Sequence, residues 1–269
     1  MHPRKRFGQN FLRDQTVIDR IVAAINPTPQ GTFVEIGPGQ GALTQKVLPL
    51  CQHLIAIELD RDLIAPLQQR CQGLGELSIH QADALKFDFS QLYVDGKRLT
   101  VFGNLPYNIS SPLLFHLLDY SQTIDHIIFM LQYEVVARMA AEPGTKAYGR
   151  LSVMIQYHCA VEPLFDVAPE AFYPAPKVNS TVVRLTPHRP LPFPVTDRTV
   201  FQNVVRSAFQ QRRKTLANAL KDHISPTDLV KIEIDPQLRP DQISLQNYVK
   251  IANLLYSNEP ASSEARPGR

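Results

Sequence analysis

Nowhere in the 269 residues is there a run of 18 apolar residues, which excludes a helical membrane span. The basic start Met1-His2-Pro3-Arg4-Lys5-Arg6 runs into Phe7-Gly8-Gln9-Asn10, where a secretory leader would carry its apolar stretch, so export is not expected. Cysteine is scarce: Cys51, Cys71 and Cys159 cannot all pair, and no two stand at a C-x-x-C or Cys/His ligand spacing. That scarcity points to a reducing cytoplasm and argues against a cysteine-built zinc site. The eight histidines are scattered without ligand spacing, so no metal is expected. No internal repeat is visible. What is present, 44% hydrophobic and 20% charged residues, describes a globular chain with enough length for one large domain and one small one.

The net charge of +3 conceals an uneven distribution. Arg4, Lys5, Arg6 and Arg13 give residues 1–13 a charge of +4, and eight basic residues against Asp197 give residues 184–221 a charge of +7, so the rest carries −8. Two basic segments on a mildly acidic body suggest a polyanion held by particular surfaces.

Asp14 is placed to cap a helix whose apolar positions Val17, Ile18, Ile21, Val22 and Ile25 follow helical spacing and stop at Asn26-Pro27. Residues 1–13 then form a basic arm. Short β-branched runs at Thr32–Ile36, Leu54–Glu58, Leu77–His80, Leu99–Phe102 and Ile127–Leu131 alternate with helical stretches, which implies a parallel sheet covered on both faces. Two further strands, Leu151–Val161 and Val178–Leu185, are expected antiparallel at the sheet edge. The first domain is expected over 14–187. Pro187, Pro190, Pro192 and Pro194 stiffen the stretch that follows, and 188–194 is expected to be the linker. A small helical domain is expected over 195–256, with a polar tail over 257–269.

Glu35-Ile36-Gly37-Pro38-Gly39-Gln40-Gly41 closes the first long strand and opens a helix, where backbone can approach a nucleotide-like ligand because no Cβ intervenes. Glu58, 21 residues after Gly37, ends the next strand and can accept both hydroxyls of a ribose. Asp83 ends the third and can accept from an adenine amine. Gly37, Gly39 and Ala42 also satisfy the dinucleotide pattern G-x-G-x-x-G/A, so an NAD enzyme remains open here. Gly41, Glu35 and Asp83 suit S-adenosylmethionine better, and no catalytic His, Lys or Tyr constellation accompanies the loop.

Asn104-Leu105-Pro106-Tyr107 follows the fourth strand. Its chemistry fits methylation of an adenine amine, whose lone pair is conjugated into the ring. The Asn104 side-chain oxygen and the Leu105 carbonyl can accept the two N–H bonds, Pro106 stiffens the turn, and Tyr107 can stack on an extruded base. No strong general base is needed, since a sulfonium is already a good leaving group.

These strings resemble the small-subunit (16S) ribosomal RNA adenine N6,N6-dimethyltransferases, the kasugamycin-sensitivity family. The likeness runs from Arg4 to about Tyr256 and includes Gly8-Gln9-Asn10-Phe11-Leu12, Glu35 to Gly41, Asn104 to Ser110, Lys146 to Ser152, Phe172 to Val178 and Gln211-Arg212-Arg213-Lys214. It implies an α/β class I (Rossmann-like) methyltransferase domain with a small all-helical C-terminal domain. It also implies contacts to S-adenosylmethionine from Asn10, Leu12, Gly37, Gly39, Glu58, Asp83 and Asn104, and Phe172 as a second stacking wall opposite Tyr107. The implied product is dimethyladenosine at two adjacent positions in the 3′-terminal hairpin loop of 16S rRNA, and the implied partner a late-assembling small subunit, with no protein partner and no membrane. Tyr133 and Asn179 depart from the family pattern, where a lysine and an aspartate are expected.

Within residues 199–221, read as one helix, Phe201, Val205, Ala208 and Phe209 form an apolar stripe. Arg206 and Arg213 face elsewhere and, with Lys214, are expected to hold RNA phosphates without reading sequence. Arg212 is placed to lay its stem over the stripe. Two other readings compete with the small-subunit enzyme: the same chemistry on large-subunit rRNA or DNA, and an assembly factor whose binding outweighs its catalysis.

Overall fold

The computed structural model describes residues 10–94 and 96–258. Asp14 caps α1 (Gln15–Ile25) by accepting from the Val17 amide at 3.1 Å, and Asn26 ends it in a left-handed conformation with φ 51°. Ile18, Ile21 and Ile25 are buried along one face, each contributing roughly 1.5–3 kcal/mol by leaving water. The stretch Asn10–Arg13, the described end of the basic arm, is tied to the first unit. Phe11–Leu12 (β1) pairs antiparallel with Phe172–Tyr173 (β8), Leu12 is buried, and the Arg13 amide donates to the Ala171 carbonyl. Arg4, Lys5 and Arg6 lie outside the described residues, as does most of the polar tail.

The main sheet contains β2 (Thr32–Ile36), β3 (His53–Glu58), β4 (Glu76–Gln81), β5 (Leu99–Asn104), β6 (Ile124–Gln132), β7 (Cys159–Val167) and β9 (Ser180–Pro187) in the order β4-β3-β2-β5-β6-β9-β7. The first five are parallel, and β9 runs antiparallel to both β6 and β7. The chain crosses over with α2 (Thr44–Cys51), α3 (Arg61–Cys71) and α4 (Ser110–Leu118), and α5 (Tyr133–Met139) follows β6. The direction of winding reverses between β2 and β5, which opens a crevice at the carboxyl ends of the strands.

Two expectations are corrected here. The run from Leu151 is not a strand: Arg150–His158 is a helix (α6), and the edge strand β7 begins only at Cys159. Its apolar residues Leu151, Val153, Met154, Ile155 and Tyr157 are nearly all buried, so the run reads alike for a buried strand and a buried helix. The expected first domain over 14–187 is interrupted, because residues 141–157 fall in the other unit. Two compact units emerge, one of residues 1–140 and 158–187, the other of residues 141–157 and 188–269, so α6 belongs almost wholly to the second.

The second unit also holds α7 (Arg198–Gln210), α8 (Leu216–Ala219), α9 (Pro226–Lys231) and α10 (Leu245–Asn258). The single helix expected over 199–221 breaks at Gln211, whose φ of −118° leaves helical space, and 211–215 forms a turn. The helical stretch at the C-terminal end continues past Tyr256 through Asn258.

Candidate active site

A cavity of about 190 Å³ lies in the crevice of the first unit, bounded by the ends of β2, β3, β4 and β5 and by the strap Asn10–Leu12. It brings together Asn10, Leu12, Gly37, Gly39, Glu58, Asp83 and Asn104, as well as Leu105, Pro106 and Tyr107.

The glycines are required by the backbone. Gly37, Gly39 and Gly41 have φ of 65°, 58° and 84°, a region side chains rarely adopt. A Cβ at Gly37 would meet no protein atom within 4 Å, so its Cα borders open space, while one at Gly39 would come within 3.3 Å of the Phe11 ring. Gly103, which the sequence reading passed over, matters more. A Cβ there would lie 2.4 Å from the Ile36 carbonyl oxygen, so only glycine lets β5 approach β2 just before Asn104. An isolated glycine near the end of a strand was the available signal.

Glu58 is buried and accepts from the Gly39 amide at 3.1 Å and the Asp60 amide at 2.8 Å, one at each oxygen. It thus ties the glycine turn to β3, and each oxygen keeps lone-pair capacity for a ligand hydroxyl. Burial pushes its pKa up, against the opposing pull of the Asp60, Gly39 and Leu59 amides. Asp83 commits Oδ1 to the Leu85 amide at 3.0 Å and leaves Oδ2 available. Glu35 is buried, 2.6 Å from the Thr44 hydroxyl, and burial raises its pKa to about 8. Asp60, also missed by the sequence reading, caps α3 through the Asp62 amide and borders the cavity. Its position directly before a helical run was the signal.

The Asn104 amide nitrogen donates to the Asn10 carbonyl at 3.0 Å. Because the NH₂ end is anchored on a carbonyl, the oxygen end is the one left for a ligand. The Tyr107 hydroxyl lies 3.1 Å from the Ser180 hydroxyl, and Ser110 Oγ donates to the Pro106 carbonyl at 3.2 Å, closing the turn.

Phe172 is not a wall of this cavity. It is 6% exposed and packs in the core that contains Leu12 and Ala171, which denies its faces to a base. The neighbouring Tyr173 is half exposed, with the Arg13 guanidinium 4.1 Å from its ring centroid.

In the second unit, Arg206 is exposed on α7 and bonded to Asn203, whereas Arg213 and Lys214 sit exposed in the turn after it. The three do not share a helix face. Arg212 does not cover the apolar stripe: it donates to the Lys146 carbonyl at 2.6 Å and pairs with Asp241 at 3.3 Å.

Among the described residues the lining includes Glu35, Glu58, Asp60 and Asp83 and contains no Lys, Arg or His. Among the described residues a diphosphate would find no cation there, whereas a ligand with a sulfonium and an ammonium meets the carboxyls of Glu58, Asp60 and Asp83, Glu35 being held protonated by burial. That fits S-adenosylmethionine and disfavours a dinucleotide.

A parallel sheet reversing at β2, acids at successive strand ends and an asparagine turn at the fourth define a Rossmann-like methyltransferase. Solved structures agree. A dimethyladenosine transferase from Plasmodium falciparum superposes with a TM-score of 0.77 at 26% identity, over 90% of this chain and 95% of that one. The 23S rRNA methyltransferase ErmE shares the fold at TM-score 0.69 and 22% identity, over 92% and 100%. The chain belongs to the ribosomal RNA adenine dimethylase family, whose model matches residues 1–257. It is 54% identical over 252 residues to the ribosomal RNA small subunit methyltransferase A of Shewanella sp. (strain MR-7), covering 94% of each. It is therefore an S-adenosylmethionine-dependent methyltransferase.

Proposed function

We propose that this enzyme dimethylates N6 of two adjacent adenosines in the 3′-terminal hairpin loop of 16S rRNA, acting in the cytoplasm on a late-assembling small subunit. The small-subunit target is supported by the 94% reciprocal coverage of a relative bearing that name.

The observation that carries the chemistry is the anchored amide of Asn104. When bound, S-adenosylmethionine supplies an electrophilic methyl group on a sulfonium. Glu58 and Asp83 would hold its ribose hydroxyls and adenine amine, the turn at Gly37 and Gly39 would let it approach the backbone, and the strap Asn10–Leu12 would border it. In the first transfer Asn104 Oδ1 and the Leu105 carbonyl accept the two N–H bonds of the target amine, and in the second a single N–H remains for one of them. Those bonds fix the nitrogen's direction of approach and draw electron density toward it as the positive charge develops. Pro106 restricts the turn, and Tyr107 offers a face for the extruded base. The target nitrogen's lone pair would form the N–CH₃ bond as the CH₃–S⁺ bond breaks to leave a neutral thioether, and the cationic amine so formed passes its proton to water, so the residues position the nitrogen and no strong base is required.

Arg206, Arg213 and Lys214 hold RNA phosphates, while specificity comes from RNA shape and from which adenosine reaches the cavity.

The test is transfer of labelled methyl groups into small subunits from cells lacking the modification, followed by nucleoside mass analysis. Two dimethyladenosines per particle are expected. No incorporation with intact cofactor binding would overturn the substrate and favour an assembly factor or a large-subunit target.

A further inference from the structure

We propose that Ser180 is a positioning residue for the target base, acting through Tyr107. The inference rests on the reading that Tyr107 stacks on the extruded adenine.

Ser180 opens β9 in register with Gln132 of β6 and Val167 of β7, and is 1% exposed. Alternation along the strand sends the next side chain, Thr181, to the opposite face, where its hydroxyl donates to Asp166 at 2.7 Å. The Ser180 hydroxyl, closed off from water, faces the Tyr107 hydroxyl at 3.1 Å across 73 residues of sequence. A buried hydroxyl requires a partner, and Tyr107 supplies it.

The converse matters for function. Tyr107 is only half buried. Its main chain is fixed by the turn behind Pro106, but rotation about its side-chain bonds would swing the ring unless the far end is tied. The hydrogen bond to Ser180 ties it, so the ring plane is set before RNA arrives. When Ser180 loses its hydroxyl, water satisfies the half-buried phenol and no buried group is orphaned. What is lost is preorganisation, and ordering one free aromatic side chain on binding lowers the efficiency of transfer by about 3–10-fold.

The experiment measures kcat and KM for unmethylated small subunits, together with cofactor Kd and Tm, for Ser180→Ala, Tyr107→Phe, the double variant and Tyr107→Ala. Ser180→Ala and Tyr107→Phe are each expected to lower kcat/KM by about 3–10-fold, with the double variant no worse than either and cofactor Kd unchanged. Tyr107→Phe removes the bond from the half-buried end but leaves the buried Ser180 hydroxyl unpaired, a cost that Tm reports and that the double variant, with neither hydroxyl, removes. Wild-type transfer by Tyr107→Phe, or multiplicative losses in the double variant, would overturn the role of Ser180. Wild-type transfer by Tyr107→Ala would instead overturn the stacking reading itself.

Discussion

Gly103→Ala is expected to damage both stability and catalysis, because the added methyl strikes backbone. The new Cβ would sit 2.4 Å from the Ile36 carbonyl oxygen, and real Cβ atoms essentially never come closer than 3.0 Å, so β5 and β2 must part by at least 0.6 Å there. Neither side is a flexible side chain that can turn away. Overpacking of this kind costs about 1–3 kcal/mol. In a unit of this size each kcal/mol lowers Tm by about 2–4 °C, so a loss of roughly 2–12 °C is expected. The displaced strand carries Asn104 as its next residue. Since a misplacement of about 1 Å can cost about 10²-fold, transfer should fall by at least about 10-fold at saturating cofactor. Calorimetry and single-turnover methyl transfer would measure both, with Gly149→Ala as control, where an added Cβ meets nothing within 4 Å. A Gly103→Ala protein melting and turning over like wild type would refute the reasoning.

Asn104→Ala should reduce turnover by about 10²–10³-fold while cofactor affinity falls less, and comparable turnover would remove Asn104 from the mechanism. Glu58→Gln should weaken cofactor binding by about 10-fold, by removing a charge-assisted acceptor, and isothermal titration would report it. Arg213→Gln with Lys214→Gln should flatten the salt dependence of RNA binding by about 0.7–0.9 for each phosphate no longer neutralised, whereas Arg212→Gln should lower Tm and leave the slope nearly unchanged. For Glu35, whose pKa rises from 4.5 to about 8 on folding, the folded chain keeps a proton through that interval while the unfolded chain loses it. Its contribution is thus complete below pH 4.5 and declines as pH rises toward 8. Glu35→Gln should abolish that decline in denaturant unfolding at pH 5, 7 and 9, and an unchanged slope would refute the assignment.

Much of the first unit was legible because its signals are local. The Asp14 cap, the spacing from Val17 to Ile25 and the αL stop at Asn26 specify α1 within a dozen residues. The span Thr32–Ile36 matches β2 end to end, since β-branched residues, a glycine before and the glycine turn after all agree. The failures share one cause: they depend on contacts distant in sequence. Residues 150–158 are buried almost all round, leaving no polar face to show a helical period, and the Ser152 hydroxyl that takes the Gly149 amide at 3.0 Å was too slight a cue. The break at Gln211 separates Arg213 from Arg206, and Arg212 is drawn off by Asp241 and the Lys146 carbonyl. Phe172 carries the aromatic signature of a stacking residue, yet its pairing with Leu12 turns it into core. Glu58 and Asp83 were legible as cavity residues, and the Asn104 oxygen was expected to face the ligand, but the contact that turns it there was not legible, because it comes from a carbonyl 94 residues upstream.

That interaction between Asn10 and Asn104 has a consequence for synthesis. The Asn10 carbonyl that orients Asn104 belongs to a stretch continuous with Phe11–Leu12, and this two-residue strand pairs only with Phe172–Tyr173. Residues at the start of the chain therefore wait for a segment translated about 160 positions later before the asparagine is set. Chains emerge at roughly 5–20 residues per second, so the interval lasts roughly 8–32 seconds. A nascent or truncated product ending before Phe172 can hold the glycine turn and its acids, but not the finished amide geometry. The enzyme's competence is thus tied to translation past Tyr173, and products ending before Phe172 are expected not to transfer methyl groups.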